Sequence, residues 1–309
     1  MIGIAGAGAF GTALAIALGR EGRQVMLWAR NPGHAERLPN AVLPDRVTLT
    51  GEIKDLAGAQ AVLLAVPMQV LGGFLAEHGG VFVGAPLVAC CKGVDLKTLQ
   101  GASALIGQAC PGATVAVLTG PSFAVDIAKG LPTALTLACD SEASEGLQRL
   151  LSTATLRLYR SADVVGAELG GALKNVIAIA AGVVMGAGLG ESARAALMTR
   201  GYAEMQRFAL RLGARAETLA GLSGFGDLVL TCTSTQSRNL RFGMALGSGA
   251  AFDSSVTVEG AATAQAVVRL AGQLDIDMPI TKMVAALIDK KLPLDEAIRS
   301  LMSRPLKQE

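Results

Sequence analysis

The chain has 309 residues and a formal net charge of +2, without a long acidic or basic run, which argues against a nucleic-acid partner. Hydrophobic residues make up 51% and charged residues 17%, so we predict a globular protein with core enough for two domains. The five cysteines lack metal-ligand spacing, and no leader pattern precedes the first strand-like residues, so we expect no metal and a reduced, cytoplasmic setting.

The first residues predict a dinucleotide-binding unit. Residues 1–5 have the pattern of a buried strand, Gly6, Gly8 and Gly11 form a G-x-G-x-x-G motif, and residues 13–18 begin a helix. Gly6 permits a tight turn, Gly8 lets a pyrophosphate approach the backbone, and Gly11 lets the helix pack on the strand. The pyrophosphate is expected at the helix N-terminus, where free N–H groups and the helix dipole favour an anion.

Cofactor preference is indicated by the residue that follows the second predicted strand, residues 24–29. An acidic residue at this point binds the ribose 2′-hydroxyl of NAD, whereas an arginine suits the 2′-phosphate of NADP. The residue is Arg30. The sequence therefore favours NADP(H), with NAD(H) as the alternative.

Further strand-like runs alternate with helical or loop segments. They occupy residues 61–66, 87–91, 114–118, 133–138 and 156–159. This alternation predicts an α/β fold that begins with a Rossmann-type, doubly wound, mostly parallel sheet in a dinucleotide-binding domain of residues 1–165. Ligands bind at the carboxyl ends of such strands, and Lys92 follows one of these ends.

The second half is predicted to be an all-α domain, residues 166–309, that binds the substrate. Its helices are expected at residues 167–186, 193–212, 237–246, 260–274, 280–287 and 294–302. The pairing of such a domain with a dinucleotide-binding domain favours an active site in the cleft between them.

Two segments of this half carry polar groups of interest. The glycine-rich segment 221–232 is predicted to be a loop, and it carries Asp227. Ser237, Arg238 and Asn239 open a helix, where a serine N-cap, free N–H groups and a guanidinium fork suit a substrate phosphate. A capped surface helix is the alternative interpretation.

Lys174 is the sole ionisable residue in the segment 169–190. The segment predicts a buried helix, and its uninterrupted apolar part is shorter than the roughly 20 residues that cross a membrane. Burial disfavours the charged form of a lysine, so we expect a lowered pKa and a general acid or base. The neighbouring Asn175 is expected to hydrogen-bond to substrate or cofactor. The alternatives for Lys174 are a side chain that reaches the surface or a structural ion pair.

Elimination strengthens the interpretation of Lys174 as the acid or base. Reduction of a ketone by hydride needs a proton donor. His34 lies in a polar loop and His78 lies beside a glycine pair, so neither has a catalytic context. A Tyr-x-x-x-Lys pair is also missing, since Tyr159 and Tyr202 are followed four residues later by an aspartate and a glutamine.

Together these motifs resemble those of the bacterial NAD(P)-dependent glycerol-3-phosphate dehydrogenases. The resemblance covers nearly the whole chain, through GAGAFGTALA, AVP, CCKG, TGPSFA, ELGGALKNVIAIAAG, AALMTRG, GLSGFGDLVLTCTS, SRN and VEG. It implies interconversion of sn-glycerol 3-phosphate and dihydroxyacetone phosphate, which supplies glycerol 3-phosphate for phospholipid synthesis.

The resemblance also implies roles for individual residues. Lys174 becomes the proton acceptor in the oxidative direction, and we expect Asp227 to orient Lys174 or a substrate hydroxyl. The implied substrate contacts are Lys92, Gly120, Ser122, Lys174, Asp227, Ser237, Arg238 and Asn239. The implied nucleotide contacts, beyond the glycines of the motif, are Ala9, Phe10, Arg30, Lys92, Ala124, Arg238 and Glu259.

Two alternatives remain at this point. Another two-domain reductase, acting on a hydroxy acid such as hydroxyisobutyrate, would use the same lysine and anion donors. A non-catalytic nucleotide-binding sensor would keep the glycine motif but would not need Lys174, Asp227 and Arg238 together. The expected partner is a small-molecule substrate, without membrane insertion, and a homodimer is left open.

Overall fold

The computed structural model describes residues 1–33, 38 and 41–302, and an eight-stranded sheet forms its first part. The strands follow the spatial order β3-β2-β1-β4-β5-β6-β7-β8. Neighbours pair in parallel except β6 and β7, which are antiparallel, so β7 and β8 run against the other strands. Their bounds are β1 (Ile2–Ala5), β2 (Val25–Trp28), β3 (Val47–Thr50), β4 (Val62–Leu64), β5 (Leu87–Ala89), β6 (Val115–Thr119), β7 (Thr133–Ala138) and β8 (Leu156–Ser161).

Helices connect the strands and then form the second part of the chain. Those between strands are α1 (Ala9–Arg20), α2 (Met68–His78), α3 (Ala102–Ala109), α4 (Ala124–Lys129) and α5 (Ala143–Leu151). Those after β8 are α6 (Val164–Gly186), α7 (Glu191–Arg211), α8 (Ala216–Ala220), α9 (Asp227–Thr233), α10 (Arg238–Ser248), α11 (Glu259–Gln273), α12 (Pro279–Ile288) and α13 (Leu294–Met302). The predicted class, a Rossmann-type sheet followed by helices, is confirmed.

Two local predictions differ from the structure. Strand β3 was not predicted; it lies at the sheet edge and is only partly buried, so its apolar pattern is weak. The prediction that residues 221–232 form a loop is wrong, since a π-helical turn, Leu222–Gly226, leads directly into α9. The glycines there allow close packing rather than an open loop, because a Cβ on Gly224 would lie 2.0 Å from the carbonyl oxygen of Leu219.

Helix α6 joins the sheet to the helical part. Val164 and Ala167, in its first turn, pack in the core beside the sheet, whereas most buried apolar residues from Leu169 onward belong to the core of the helical part. Its length and composition would suffice for a membrane span, but 89% of its apolar window is buried within the protein. It is therefore the core helix of the second part and not a membrane span.

Glycines on α6 and α10 bring the two helix backbones into contact. A Cβ on Gly182 would lie 2.2 Å from the Leu240 oxygen, and a Cβ on Gly243 would lie 2.0 Å from the Ile179 oxygen. Side chains at these positions would force the helices apart, because close-packed interiors leave no room for an added methyl group. This close approach fixes where the N-terminus of α10 lies relative to α6.

The substitution Gly243→Ala tests this constraint. We expect it to lower the free energy of unfolding by about 1–3 kcal/mol or more, because the new methyl group overlaps the α6 backbone. Urea denaturation measures the change. The matched control is Gly146→Ala on α5, where an added Cβ meets no atom within 4 Å and stability should stay equal or rise. Equal effects of the two substitutions would contradict the helix contact.

Candidate active site

The glycine motif forms the connection between β1 and α1. Gly6 has a φ of +116°, and a Cβ there would lie 2.8 Å from the Ala65 backbone. A Cβ on Gly11 would lie 2.0 Å from the Gly6 oxygen, whereas one on Gly8 would meet nothing within 4 Å. Gly6 therefore forms the predicted tight turn, and Gly11 allows the predicted close packing of α1. The space beside Gly8 is open for a ligand.

Other predicted nucleotide contacts lie at the edge of the sheet where β1 ends and the glycine motif begins. Ala9 and Phe10 are half-buried in the first turn of α1, which lacks a side-chain N-cap, so its N–H groups are available to an anion. Arg30 is exposed just beyond β2, and Ala124 begins α4 after β6. Since β1, β2 and β6 all run in one direction, these groups share one edge. The residues present fit a dinucleotide.

Asp227 is the centre of a buried ionic cluster. It begins α9 and is 0% exposed. Its Oδ2 accepts a hydrogen bond from Lys92 Nζ at 2.5 Å, and its Oδ1 lies 3.0 Å from Lys174 Nζ. The prediction that Lys174 is buried is confirmed, since it is 7% exposed. Three distant segments, the end of β5, α6 and α9, thus place their charged groups at one point.

The electrostatics of this cluster suit proton transfer. Burial lowers the pKa of Lys174 to about 8, the Asp227 carboxylate opposes this shift, and the Lys92 charge adds to it. A lysine with a pKa near neutrality exists in both protonation states under ordinary conditions, so it can donate or accept a proton. The direction predicted from the sequence is confirmed.

Thr231 is a member of this cluster that the sequence analysis missed. Its Oγ1 accepts a hydrogen bond from Lys174 Nζ at 2.6 Å and lies 3.2 Å from Asp227 Oδ1. Asp227 and Thr231 are four residues apart and lie on one helix face. That spacing was visible in the sequence, but it carries meaning only once the segment is known to be helical.

The start of α10 lies beside the cluster. The predicted N-cap is confirmed, because Ser237 Oγ accepts a hydrogen bond from the Leu240 N–H at 3.2 Å. Arg238 is exposed, so its guanidinium can reach a ligand. A serine cap, helix N–H groups and an exposed arginine together form a site suited to an anion.

Asn175 and Asn239 mainly hold helices together. Asn239 Nδ2 donates to Asn175 Oδ1 at 2.9 Å, and Asn239 Oδ1 accepts from the Gly260 N–H at 3.0 Å. These bonds link α6, α10 and α11. Asn175 was expected to hydrogen-bond to substrate or cofactor, but its Oδ1 accepts from Asn239. Each of the two amide groups therefore retains only part of its hydrogen-bonding capacity for a ligand.

The segment after β6 adds two further groups. Gly120, with a φ of +139°, accepts a hydrogen bond through its oxygen from Lys92 Nζ at 3.2 Å. Ser122 Oγ is buried and has no hydrogen-bond partner among the described residues. A buried hydroxyl without a partner is costly, and at this edge of the sheet a bound ligand would satisfy it.

Glu259 connects the helical part to the sheet. Its carboxyl group lies near the start of α2, where the backbone N–H of Met68 acts to lower the pKa of Glu259. Burial raises the pKa of Glu259, whereas the charges of Arg238, Lys92 and Lys174 lower it. The half-buried side chain therefore lies among the cations of the site, where the resemblance places the cofactor.

Among the described residues, histidine adds no group to this site. His78 packs in an aromatic cluster, with ring centroids 6.0 Å from Trp28 and 5.1 Å from Phe74. His34 lies outside the described residues. Within the described part of the chain, no group of His, Cys, Asp and Glu side chains is arranged to hold a metal ion.

The site as a whole defines a class of protein. It combines a dinucleotide cradle with a buried lysine–aspartate cluster and a helix start suited to an anion. This is the arrangement of an NAD(P)-dependent oxidoreductase.

Known proteins resemble the chain along its whole length. Family models described as NAD-dependent glycerol-3-phosphate dehydrogenase N-terminus and C-terminus match residues 1–145 and 163–299. Glycerol-3-phosphate dehydrogenase (NAD(P)+) of Cereibacter sphaeroides is 69% identical, with 100% of both chains covered. Its counterpart in Paracoccus denitrificans is 61% identical, with 100% of this chain and 99% of the relative covered.

A solved structure gives the same result. The crystal structure of glycerol-3-phosphate dehydrogenase from Coxiella burnetii matches with a TM-score of 0.93 and 35% identity over 98% of each chain. The chain belongs to the NAD-dependent glycerol-3-phosphate dehydrogenase family.

The substitution Asp227→Asn tests the electrostatics of the cluster. It removes the charge that stabilises protonated Lys174 but leaves burial and Lys92 in place, so the pKa of Lys174 should fall below about 8. NMR titration of the Lys174 ε-carbon measures this directly. The control is Asp289→Asn, an exposed carboxylate that pairs with Lys291. An unchanged Lys174 titration in Asp227→Asn would contradict the assigned coupling.

Proposed function

We propose that this protein is an NAD(P)-dependent glycerol-3-phosphate dehydrogenase, which interconverts dihydroxyacetone phosphate and sn-glycerol 3-phosphate for phospholipid synthesis. The observation that carries the proposal is the contact of Lys174 with Asp227, beside the capped start of α10. Lys92 joins this contact from the end of β5, which lies at the same edge of the sheet as the glycine motif. A proton donor, a phosphate site and a hydride donor are the parts that reduction of a phosphorylated ketone requires. Identity of 69% over the whole chain supports the same substrate.

Hydride transfer to or from C2 of the substrate is the chemistry that a nicotinamide cofactor would supply when bound. The backbone of the Gly6–Gly11 turn and the N-terminus of α1 would hold the pyrophosphate, because nothing fills the space at Gly8. Arg30 is exposed just beyond β2, where a bound ribose would be expected, and an arginine there favours a 2′-phosphate. We therefore propose that NADP(H) is preferred and that NAD(H) is also used.

The residues of the cluster handle the proton and the developing charge. In reduction, Lys174 Nζ gives its proton to the C2 oxygen as that oxygen becomes an alkoxide. In oxidation, neutral Lys174 takes the proton from the C2 hydroxyl. Asp227 orients Lys174, and Lys92 adds positive charge where the oxygen becomes negative. The start of α10, with Ser237, Arg238 and Asn239, would hold the substrate phosphate. Gly120 and Ser122, in the segment after β6, would add further substrate contacts.

The organisation of the protein completes the proposal. We propose a dinucleotide-binding domain of residues 1–165 and a helical substrate-binding domain of residues 166–309, with the catalytic cluster between them. We also propose a cytoplasmic enzyme without membrane insertion or a nucleic-acid partner, and with a homodimer as an open arrangement. Since α6 packs on both parts, the domains would share this helix.

The direct test is oxidation of NADPH in the presence of dihydroxyacetone phosphate. The same assay with NADH ranks the two cofactors, and assays with small keto acids test the alternative hydroxy-acid reductase. Oxidation that depends on the ketone phosphate supports the proposal. Turnover restricted to a keto acid would favour the alternative reductase, and tight NADPH binding without any turnover would favour a sensor.

The substitution Lys174→Ala tests the acid or base. We expect kcat to fall by about 10²–10⁴-fold, the usual contribution of a positioned proton donor, with the Kd for NADPH nearly unchanged. Steady-state kinetics and nucleotide titration measure both values. Lys282→Ala, at a side chain that is 51% exposed, serves as the control. Near-normal turnover in Lys174→Ala would refute the assignment.

The substitution Arg238→Ala tests the phosphate site. A hydrogen bond to a charged group contributes about 1.5–3 kcal/mol, so KM for dihydroxyacetone phosphate should rise by roughly 10- to 100-fold. Arg241→Ala is a matched control, because Arg241 is exposed on the next turn of the same helix. If Arg238→Ala leaves KM unchanged, the start of α10 has another role.

A further inference from the structure

The position of Lys92 depends on a loop that belongs to both parts of the protein. Leu87 of β5 lies in a core on one face of the sheet, whereas Val94 is 2% exposed in the core of the helical part. Gly93 lies between them with a φ of +147°, and a Cβ there would lie 3.0 Å from Thr263 Oγ1. The chain thus crosses from one core to the other immediately after Lys92.

The side chain of Gln69, on α2 in the sheet part, makes two hydrogen bonds to this loop. Its Nε2 donates to the Val94 oxygen at 2.9 Å, and its Oε1 accepts from the Leu96 N–H at 3.0 Å. A single amide side chain in the first turn of α2 therefore satisfies two backbone groups of the loop. Such paired bonds fix both the position and the orientation of the loop.

Arg269 fastens the same loop from the helical side. Its Nη1, on α11, donates to the Leu96 oxygen at 2.7 Å. Leu96 is therefore held through its N–H by the sheet part and through its oxygen by the helical part. We name the contacts of Gln69 and Arg269 with residues 94–96 the Leu96 clamp.

We propose that Gln69 and Arg269 are positioning residues, which act through the Leu96 clamp to hold Lys92 on the Asp227 carboxylate. Neither side chain bonds to Asp227 or Lys174, so each acts through the loop. The inference rests on the proposed function, because its main readout is the dehydrogenase reaction. It adds two residues that neither the glycine motif nor the lysine cluster identifies.

The clamp has a chemical consequence because Lys92 and Lys174 share Asp227. Withdrawal of Lys92 would remove a like charge from Lys174 and free Asp227 to pair with it alone. Both changes favour protonated Lys174, so its pKa would rise. The other charged or titratable groups near Lys174 are Cys232 on α9 and Glu259 on α11, with Arg194 of α7 facing Cys232. The clamp touches none of them.

The experiment compares the pH dependence of glycerol 3-phosphate oxidation in the wild type, Gln69→Ala and Arg269→Ala. Oxidation needs neutral Lys174, so the rate rises with pH through its pKa. We expect each substitution to move this rise to higher pH by about half a unit or more, and to lower kcat near neutrality by about threefold to tenfold. KM for NADP+ should change little.

Conservative and distant variants sharpen the comparison. Arg269→Lys keeps a donor for the Leu96 oxygen and should restore most of the wild-type profile. Gln273→Ala, exposed on α11, and Arg211→Ala, exposed at the end of α7, should match the wild type. If Gln69→Ala fails to fold, Arg269→Ala answers the same question from the opposite side of Leu96.

The outcomes separate this inference from the proposed function. A wild type without turnover on glycerol 3-phosphate would refute the function itself. A wild type with turnover, together with clamp variants whose pH profile does not move, would overturn the positioning role. The positioning role would be overturned even if those variants melted at lower temperature, because a merely structural contact lowers stability without shifting the titration of Lys174.

Discussion

The buried carboxylate of Asp227 is the interaction on which the site depends. It is 0% exposed, and an unpaired charge at such a position would cost several kcal/mol. Lys92 and Lys174 supply more positive charge than the carboxylate needs, so the cluster carries a net excess of +1 when both are protonated. In the proposed reaction, a developing alkoxide or a phosphate oxygen would compensate this excess. The fold must therefore bring the end of β5, α6 and α9 together at one point.

The reversal of β7 and β8 explains how α6 reaches that point. Strand β8 runs against β1, β2 and β6, so it ends at the opposite edge of the sheet from the glycine motif and Lys92. Helix α6 must therefore first cross the sheet. Lys174 lies about 15 Å along α6 from Val164, which is close to the length of a five-residue strand. A Cβ on Gly171 would lie 2.4 Å from Thr119 Oγ1, at the end of β6. Lys174, one turn later, thus lies at the edge where β6 ends, and the glycine contacts between α6 and α10 bring the start of α10, the proposed phosphate site, close to it.

The sequence predicts the parts of this arrangement whose physical signal is local. The glycine motif, the buried lysine and the Ser237 cap each depend on a few consecutive residues, and the structure contains all three features. Strand β3 and the antiparallel pairing of β7 depend on sheet neighbours, which a single segment does not encode. Thr231 was missed for a related reason: glycines that pack against neighbouring backbone look like loop residues when the neighbours are unknown.

The balance of forces on Lys174 explains why two lysines share one carboxylate. Asp227 paired with Lys174 alone would favour the ammonium form strongly and would make a poor base. Lys92 Nζ lies 2.5 Å from the second carboxylate oxygen of Asp227 and places a like charge near Lys174. The effect of burial therefore outweighs that of Asp227, and the pKa of Lys174 is lowered to about 8. A reversible reaction needs a group that gives and takes a proton at similar cost. Lys174, the proposed acid or base, is therefore influenced from outside its own helix, by Lys92, whose loop joins the core beside the sheet to the core of the helical part.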